Sequence, residues 1–323
     1  MLAESLYLDS FLAPLGPWLA QANLTDIYVN KPGEVWTEYL SGTIERHEVP
    51  ELDRRALLRL ARQVAAANSQ GISRESPLLA GSLPDGSRIQ IALPPATRGE
   101  VALAIRRHLV QDIDLGAFQS DDDNSKKIDV RPNSQRKSSI SGDSIDDLRD
   151  AVRQRRNILI SGGTSSGKTT FLNALLREIP LSERLIMIED APELQVRHPN
   201  AVGLIAARGG LGEASVSTDD LLIAALRMRP DRIILGEIRG SEALTFLRAV
   251  NTGHPGSLTT IHADSPSRAI DQLALLVQQA NIGLSWDDTI RYIARSIDIV
   301  VQLSRSGGMR RVEAITDLRD LSV

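Results

Sequence analysis

One stretch limits the folds open to this chain more than any other. Residues Gly162-Gly163-Thr164-Ser165-Ser166-Gly167-Lys168-Thr169 follow the apolar run Ile158-Leu159-Ile160 and precede Phe171-Leu172-Asn173-Ala174-Leu175-Leu176. The order is strand, glycine-rich loop, helix, and the spacing fits G-x-x-x-x-G-K-[ST], the P-loop pattern. Glycines let the backbone curl until successive N–H groups point inward at phosphate oxygens. The helix that opens near Gly167 adds the positive end of its dipole. Lys168 has the reach for the β- and γ-phosphates of a nucleotide, and the Thr169 hydroxyl can hold Mg²⁺. The predicted nucleotide-binding set is Gly162, Gly163, Thr164, Ser165, Ser166, Gly167, Lys168, Thr169 and Thr170. Ser165 stands where many P-loops carry glycine, which predicts a backbone that avoids the left-handed region there.

Composition narrows what surrounds this loop. The 323 residues suffice for two domains with cores of their own. A net charge of −4 and 3% aromatic residues count against a nucleic-acid surface, so no stable nucleic-acid partner is expected. The chain has no cysteine, which excludes disulfides and thiolate zinc sites and fits a reducing cytoplasm. Glu4 and Asp9 replace a basic leader, and Pro14 and Pro17 break the first apolar run, so no signal peptide is expected. No run of about 18 apolar residues occurs, and any membrane role is expected to be peripheral.

Along the chain, residues 5–20 read as a short helix broken near Pro14. Residues 25–30 read as a strand and 35–39 as its hairpin partner after the Lys31-Pro32-Gly33 turn. Leu52, Leu57, Leu58, Leu60, Ala61 and Val64 mark the buried side of a helix over 51–68. Strands follow at 88–93, out of the Pro84-Asp85-Gly86 turn, and at 101–105. These make a smaller α+β domain over 1–111. Residues 112–143 are polar, with the acidic Asp121-Asp122-Asp123 and a basic cluster containing Arg131, Arg136 and Lys137. They read as a flexible linker. Its basic residues are either plainly solvated or in contact with acidic lipid headgroups. The second domain covers 144–323. Helices at 144–155, 217–228, 241–250, from Pro266 and at 286–296 alternate with strands at 158–160, 185–188, 233–235 and 257–261. A hairpin, 297–303 with 309–315, closes the chain. That alternation predicts an α/β fold with a mostly parallel, doubly wound sheet.

In such sheets ligands sit beyond the carboxyl ends of the strands. Strand 185–188 delivers Glu189 and Asp190 there, with Glu193 close behind. Strand 233–235 delivers Gly236, Glu237 and Arg239, and strand 257–261 ends in His262. Glu237 fits a Walker-B carboxylate acting on Mg²⁺ directly or through water. Glu193 or Glu189 can polarise an attacking water. His262 can sense the γ-phosphate or serve only as a structural residue. Arg227, Arg229, Arg232 and Arg239 cluster in sequence near this edge, as ion-pair partners of the acids or as phosphate ligands. Arg88 follows a turn and Arg106 ends a strand of the first domain, and both have the planar fork suited to phosphates across an interdomain cleft or are solvated strand-end charges.

Four motifs in order resemble those of the secretion ATPases. They are Gly162 to Thr170; Arg184-Leu185-Ile186-Met187-Ile188-Glu189-Asp190-Ala191-Pro192-Glu193-Leu194, similar to the Asp box; Arg227 to Arg239, similar to the Walker B; and Thr252 to Ala263, similar to the His box. Residues 25–35 and Pro84 to Arg88 resemble the VirB-eleven family of type IV secretion. The resemblance covers nearly the whole chain. It implies a RecA-like ATPase domain behind the N-terminal domain, with ATP and Mg²⁺ bound between the two. It implies a homo-hexameric ring, cytoplasmic and peripherally associated with the inner membrane, docked on channel subunits. Glu193 matches the family's catalytic glutamate, Glu237 its Walker-B acid, His262 its His-box histidine, and Arg239 a motif arginine near the site. Arg88 and Arg106 match arginines that reach the phosphates. The long linker implies that one subunit's N-terminal domain can pack over a neighbour's ATPase domain. Absence of cysteine sets the chain apart from the type II branch, whose members often carry a four-cysteine zinc module.

The expected function is therefore ATP hydrolysis that drives substrate transfer or pilus assembly in type IV secretion. Two alternatives stay open at this point. One is an ATPase of a related type IV pilus or conjugation apparatus. The other is a nucleotide-gated adaptor with little turnover.

Overall fold

A computed structural model describes residues 8–107, 113–119, 145–206, 216–281, 283–306 and 309–319. The chain divides into two compact units, one built mainly from residues 1–110, the other from 111–206 and 217–323.

The first unit is an antiparallel sheet under one long helix. Its strands are β1 (Leu24–Val29), β2 (Glu34–Tyr39), β3 (Ile44–Glu48), β4 (Leu78–Ser82), β5 (Arg88–Ala92) and β6 (Ala102–Arg106), in the order β3-β2-β1-β6-β5-β4. Helix α1 (Arg54–Ala67) starts where the Asp53 carboxylate accepts from the Ala56 N–H at 2.7 Å, an N-cap. Its apolar stripe of Leu57, Leu60, Ala61 and Val64 joins Ile27, Val29, Ile89, Ile91, Leu103 and Ile105 in one core. Alternation of apolar and polar residues along β1, β5 and β6 puts those side chains on one face. Short helical turns around Pro14 precede β1, as the proline predicts. Strands β3 and β4 were not expected from the sequence.

The second unit is a three-layer α/β/α domain. Its strands are β7 (Ile158–Gly162), β8 (Leu185–Glu189), β9 (Ala201–Ile205), β10 (Arg232–Leu235), β11 (Leu258–Ile261), β12 (Ile299–Ser306) and β13 (Met309–Asp317). The sheet order is β13-β12-β7-β11-β10-β8-β9, and every pairing is parallel except β12 with β13. Helices α2 (Ile145–Arg153) and α3 (Lys168–Leu176) precede and follow β7. Helices α4 (Thr218–Leu226), α5 (Glu242–Asn251), α6 (Pro266–Gln278) and α7 (Trp286–Ser296) come later. Alternate strand residues feed two separate cores. Leu159, Ile186, Ile188, Ile233, Leu235 and Val300 pack with α4 to α7. Ile158, Ile160, Leu185, Met187, Ile234 and Val301 pack with α2 and α3. A parallel sheet covered on both faces explains why these strands are almost continuously apolar in sequence.

Part of the stretch expected to be linker belongs to this second core. Leu115–Phe118 forms a 3-10 turn, and Leu115 and Phe118 are buried. The Phe118 ring meets Phe171 of α3 edge-on, with centroids 5.0 Å apart. Burying two large apolar side chains contributes about 3–6 kcal/mol and offsets much of the ordering cost of the turn. Residues 120–143, including the acidic and basic clusters, lie outside the described residues. No helix of the described residues is long and apolar enough to cross a membrane.

Candidate active site

Because β7, β8, β10 and β11 run parallel, their carboxyl ends open on one edge. The P-loop leaves β7 there. Gly167 takes φ 91° and caps α3, and Ser165 takes φ 61°. The expectation that Ser165 avoids the left-handed region is therefore wrong. A loop whose N–H groups converge alternates right- and left-handed residues, and that demand overrides the side chain's preference. Ser166 is buried and its hydroxyl has no partner among the described residues. A Cβ on Gly162 would collide with that hydroxyl and crowd the Leu303 carbonyl at 3.1 Å, so the close approach favours glycine there.

Lys168 lies folded onto its own loop. Its Nζ donates to the carbonyls of Gly162 at 2.8 Å and Gly163 at 3.3 Å, and stands 3.8 Å from Glu237 Oε1. Burial pushes its pKa below the ordinary lysine value, against the pull of Glu237. Glu237 is in turn gripped by Arg239 through Nε and Nη2. Arg239 Nη1 donates to Asp190 Oδ2 at 2.8 Å. Burial opposes the Arg239 charge, but Glu237, Asp190 and Glu193 outweigh it and hold the guanidinium above its ordinary value. Lys168, Glu237, Arg239, Asp190 and Glu193 thus form one electrostatic cluster beside the P-loop. The turn that carries Arg239 is itself pinned: Glu242 Oε1 accepts from the backbone N–H of Arg239 at 2.6 Å and of Gly240 at 2.8 Å. His262 follows β11 and is exposed. The next carbonyl along, Ala263, accepts from Ser161 Oγ at 3.3 Å and Gln302 Nε2 at 3.4 Å.

Glu189 and Glu193 have different surroundings. Glu189 is 7% exposed, and its Oε1 accepts from the N–H groups of Glu193 at 2.8 Å and Leu194 at 2.7 Å. Glu193 is half-buried. Three arginines expected near this edge are elsewhere. Arg232 opens β10 and is fully buried, with Nε 2.7 Å and Nη2 2.9 Å from the Glu183 carboxylate. Arg227 and Arg229 precede it and are exposed. A four-residue strand spans about 13 Å, and that length separates them from Glu237. In the first unit, Arg88 and Arg106 are register partners across β5 and β6, and Arg106 Nε donates to Asp26 Oδ1 at 3.0 Å.

Sequence reasoning missed two residues that shape the site. Asn173 of α3 binds the backbone around Glu193, and no motif signals it. Arg310 of β13 lays its side-chain stem on the P-loop, since a Cβ on Gly167 would meet Arg310 Cδ at 2.6 Å. Its place on a distant strand hides it from any sequence spacing.

Residues 12–310 match the family described as Type II/IV secretion system protein. The type IV secretion system protein VirB11 of Bartonella henselae is 38% identical over 94% of this chain and 91% of its own length. The VirB11 ATPase from the Brucella suis type IV secretion system, solved with sulphate, is 34% identical, with a TM-score of 0.51 over 99% of this chain and 96% of that one. The chain belongs to the VirB11 family of type IV secretion ATPases. It is accordingly an ATP-hydrolysing enzyme that binds nucleotide. The pilus retraction motor PilT, solved with ADP, has a TM-score of 0.59 at 20% identity over 90% of this chain and 77% of that one. At that identity the likeness concerns the fold alone, which is RecA-like.

Proposed function

We propose that this VirB11-family ATPase works as a homo-hexameric ring at the cytoplasmic face of the inner membrane. There it couples ATP hydrolysis to substrate transfer or pilus assembly through a type IV secretion channel. The observation that supports the chemistry most directly is the chain of contacts Lys168–Glu237–Arg239–Asp190 at the mouth of the P-loop. Ring assembly and channel docking rest on the family membership.

In this reading the backbone from Gly162 to Thr170 cradles the phosphates, and Lys168 exchanges its two carbonyl partners for phosphate oxygens. The residues present suit Mg²⁺. Thr169 opens α3 and Glu237 faces Lys168, and Mg²⁺ needs only one or two protein oxygens beside phosphates and water. Bound there, Mg²⁺ would neutralise charge on the phosphates. Glu193 orients and polarises the attacking water. Arg239 holds Glu237 until the nucleotide arrives, and His262 is the candidate sensor of the γ-phosphate. Arg88 and Arg106, which match phosphate-binding arginines of the family, are proposed as further phosphate ligands.

Light scattering with and without ATP tests assembly, and phosphate release by Glu193→Gln tests chemistry. The reading predicts a hexamer-sized particle and a variant that binds nucleotide but turns over at least about 100-fold more slowly. A monomer at all concentrations, or a Glu193→Gln rate equal to wild type, contradicts it.

A further inference from the structure

Residues 190–200 run between β8 and β9 without regular secondary structure. A loop backbone must find its hydrogen-bond partners outside a ladder or a helix. At Glu193 two buried side chains supply them from either side. Glu189 Oε1 accepts from the Glu193 N–H at 2.8 Å and the Leu194 N–H at 2.7 Å. Asn173 Nδ2 donates to the Glu193 carbonyl at 3.1 Å, and Asn173 Oδ1 accepts from the Gln195 N–H at 2.8 Å. The backbone of one catalytic candidate is thus held at its N–H, its carbonyl and both following amides.

Neither side chain is explained by helix or strand stability. Asn173 sits inside α3 among Phe171, Leu172, Ala174 and Leu175, and is 6% exposed. Asparagine is a poor residue for a helix interior, and an apolar residue would fill a buried site there. Glu189 ends β8 with a buried carboxylate whose Oε1 is already occupied by two N–H donors. That geometry suits holding a loop better than handling a water.

We propose that Asn173 and Glu189 are positioning residues that set the placement of Glu193 and tie it to the P-loop helix. Lys168, Thr169 and Asn173 lie on the same rigid helix, so a shift of its phosphate-binding end moves the Glu193 backbone with it. Any such shift transmits occupancy of the P-loop to the water-handling side of the site. The proposal rests on the reading of Glu193 as the water-polarising group.

The test measures phosphate release, KM and the affinity for a fluorescent ATP analogue in Asn173→Ala, Glu189→Ala, Glu189→Gln, Glu193→Gln and the Asn173→Ala/Glu193→Gln double variant. Misplacing a catalytic group by about 1 Å can cost on the order of 100-fold. Asn173→Ala and Glu189→Ala are expected to lower kcat about 10- to 100-fold with analogue affinity held within about twofold. Glu189→Gln keeps the acceptor oxygen and is expected to recover most of the rate. Asn173→Ala in the Glu193→Gln background is expected to add no further loss, because its action runs through Glu193.

An undiminished kcat in both alanine variants overturns the proposal while Glu193→Gln remains inactive. So does a full independent loss in the double variant. Glu189→Gln as inactive as Glu193→Gln would make Glu189 the water-handling group and overturn its positioning role. If Glu193→Gln keeps the wild-type rate, the reading of Glu193 fails and the proposal with it. Should Asn173→Ala not fold, the Glu189 pair decides alone.

Discussion

Ser165 and Gly167 show how the P-loop's shape is set residue by residue. A non-glycine residue in the left-handed region carries about 1–2 kcal/mol of strain, and Ser165 sits there at φ 61°. Ser165→Gly is expected to raise the nucleotide-free stability by about 1 kcal/mol in a urea titration, less the entropy that glycine adds to the unfolded chain. An unchanged midpoint would mean that the strain is relieved by contacts the serine makes. Gly167→Ala goes the other way. Its φ of 91° and the Arg310 stem 2.6 Å from the new Cβ leave no room, so analogue binding is expected to weaken more than about 10-fold. Lys168 gives a pH signature. Its amine is depressed by burial in the nucleotide-free protein, and phosphate raises it again on binding. Affinity is therefore full below the depressed free value and falls as pH rises through it. A pH titration of analogue binding should show this alkaline loss in wild type and not in Lys168→Ala. The P-loop was legible in sequence because its chemistry needs fixed residue types at fixed spacing. The conformation of Ser165, the grip of Asn173 and the cover by Arg310 were not, because each depends on groups brought close only by the fold.

At the scale of elements, the parallel strands were readable because burial on both faces makes them short continuous apolar runs. Strands β3, β4 and β9 lie at or end a sheet edge. Ile44–Glu48 is almost wholly exposed and mostly charged, and Ala201–Ile205 is interrupted by Gly203. Their order comes from the neighbouring strand, so their own residues carry little signal. Strand β10 is readable at its apolar centre and misleading at its start. Arg232 looks like a site arginine in sequence, yet it anchors the opposite end, also donating to the Val152 carbonyl at 2.7 Å. Arg232→Ala leaves the buried Glu183 carboxylate with only the more exposed Arg155, 3.3 Å away, and is expected to cost about 3 kcal/mol by chemical denaturation, the low end for breaking a buried pair. The Arg232 hydrogen bonds hold the Glu183 pKa below the ordinary carboxylate value. That contribution is present above the unfolded value and is lost as pH falls through the folded one. Stability should therefore fall on acidification below the ordinary carboxylate range, and fall less steeply in Arg232→Ala. Equal acid slopes in the two proteins would show that other carboxylates dominate.

At the level of the whole molecule, two units carry separate cores. One carries Arg88 and Arg106 on adjacent strands, and the other carries the P-loop and its acids on a single sheet edge. The alternation of strands and helices made the second unit's class legible, and the turn-separated short strands did the same for the first. The packed Leu115–Phe118 turn was hidden because its neighbours in sequence are polar, while its partners are on α3. ATP hydrolysis in this chain is proposed to take place at the P-loop edge of the second unit. The most direct measurement is phosphate release by the purified chain beside its Lys168→Ala variant, at saturating ATP and Mg²⁺. The wild type should turn over steadily and the variant should lose at least about 100-fold. Equal rates in the two proteins, or no turnover by the wild type, would contradict that proposal.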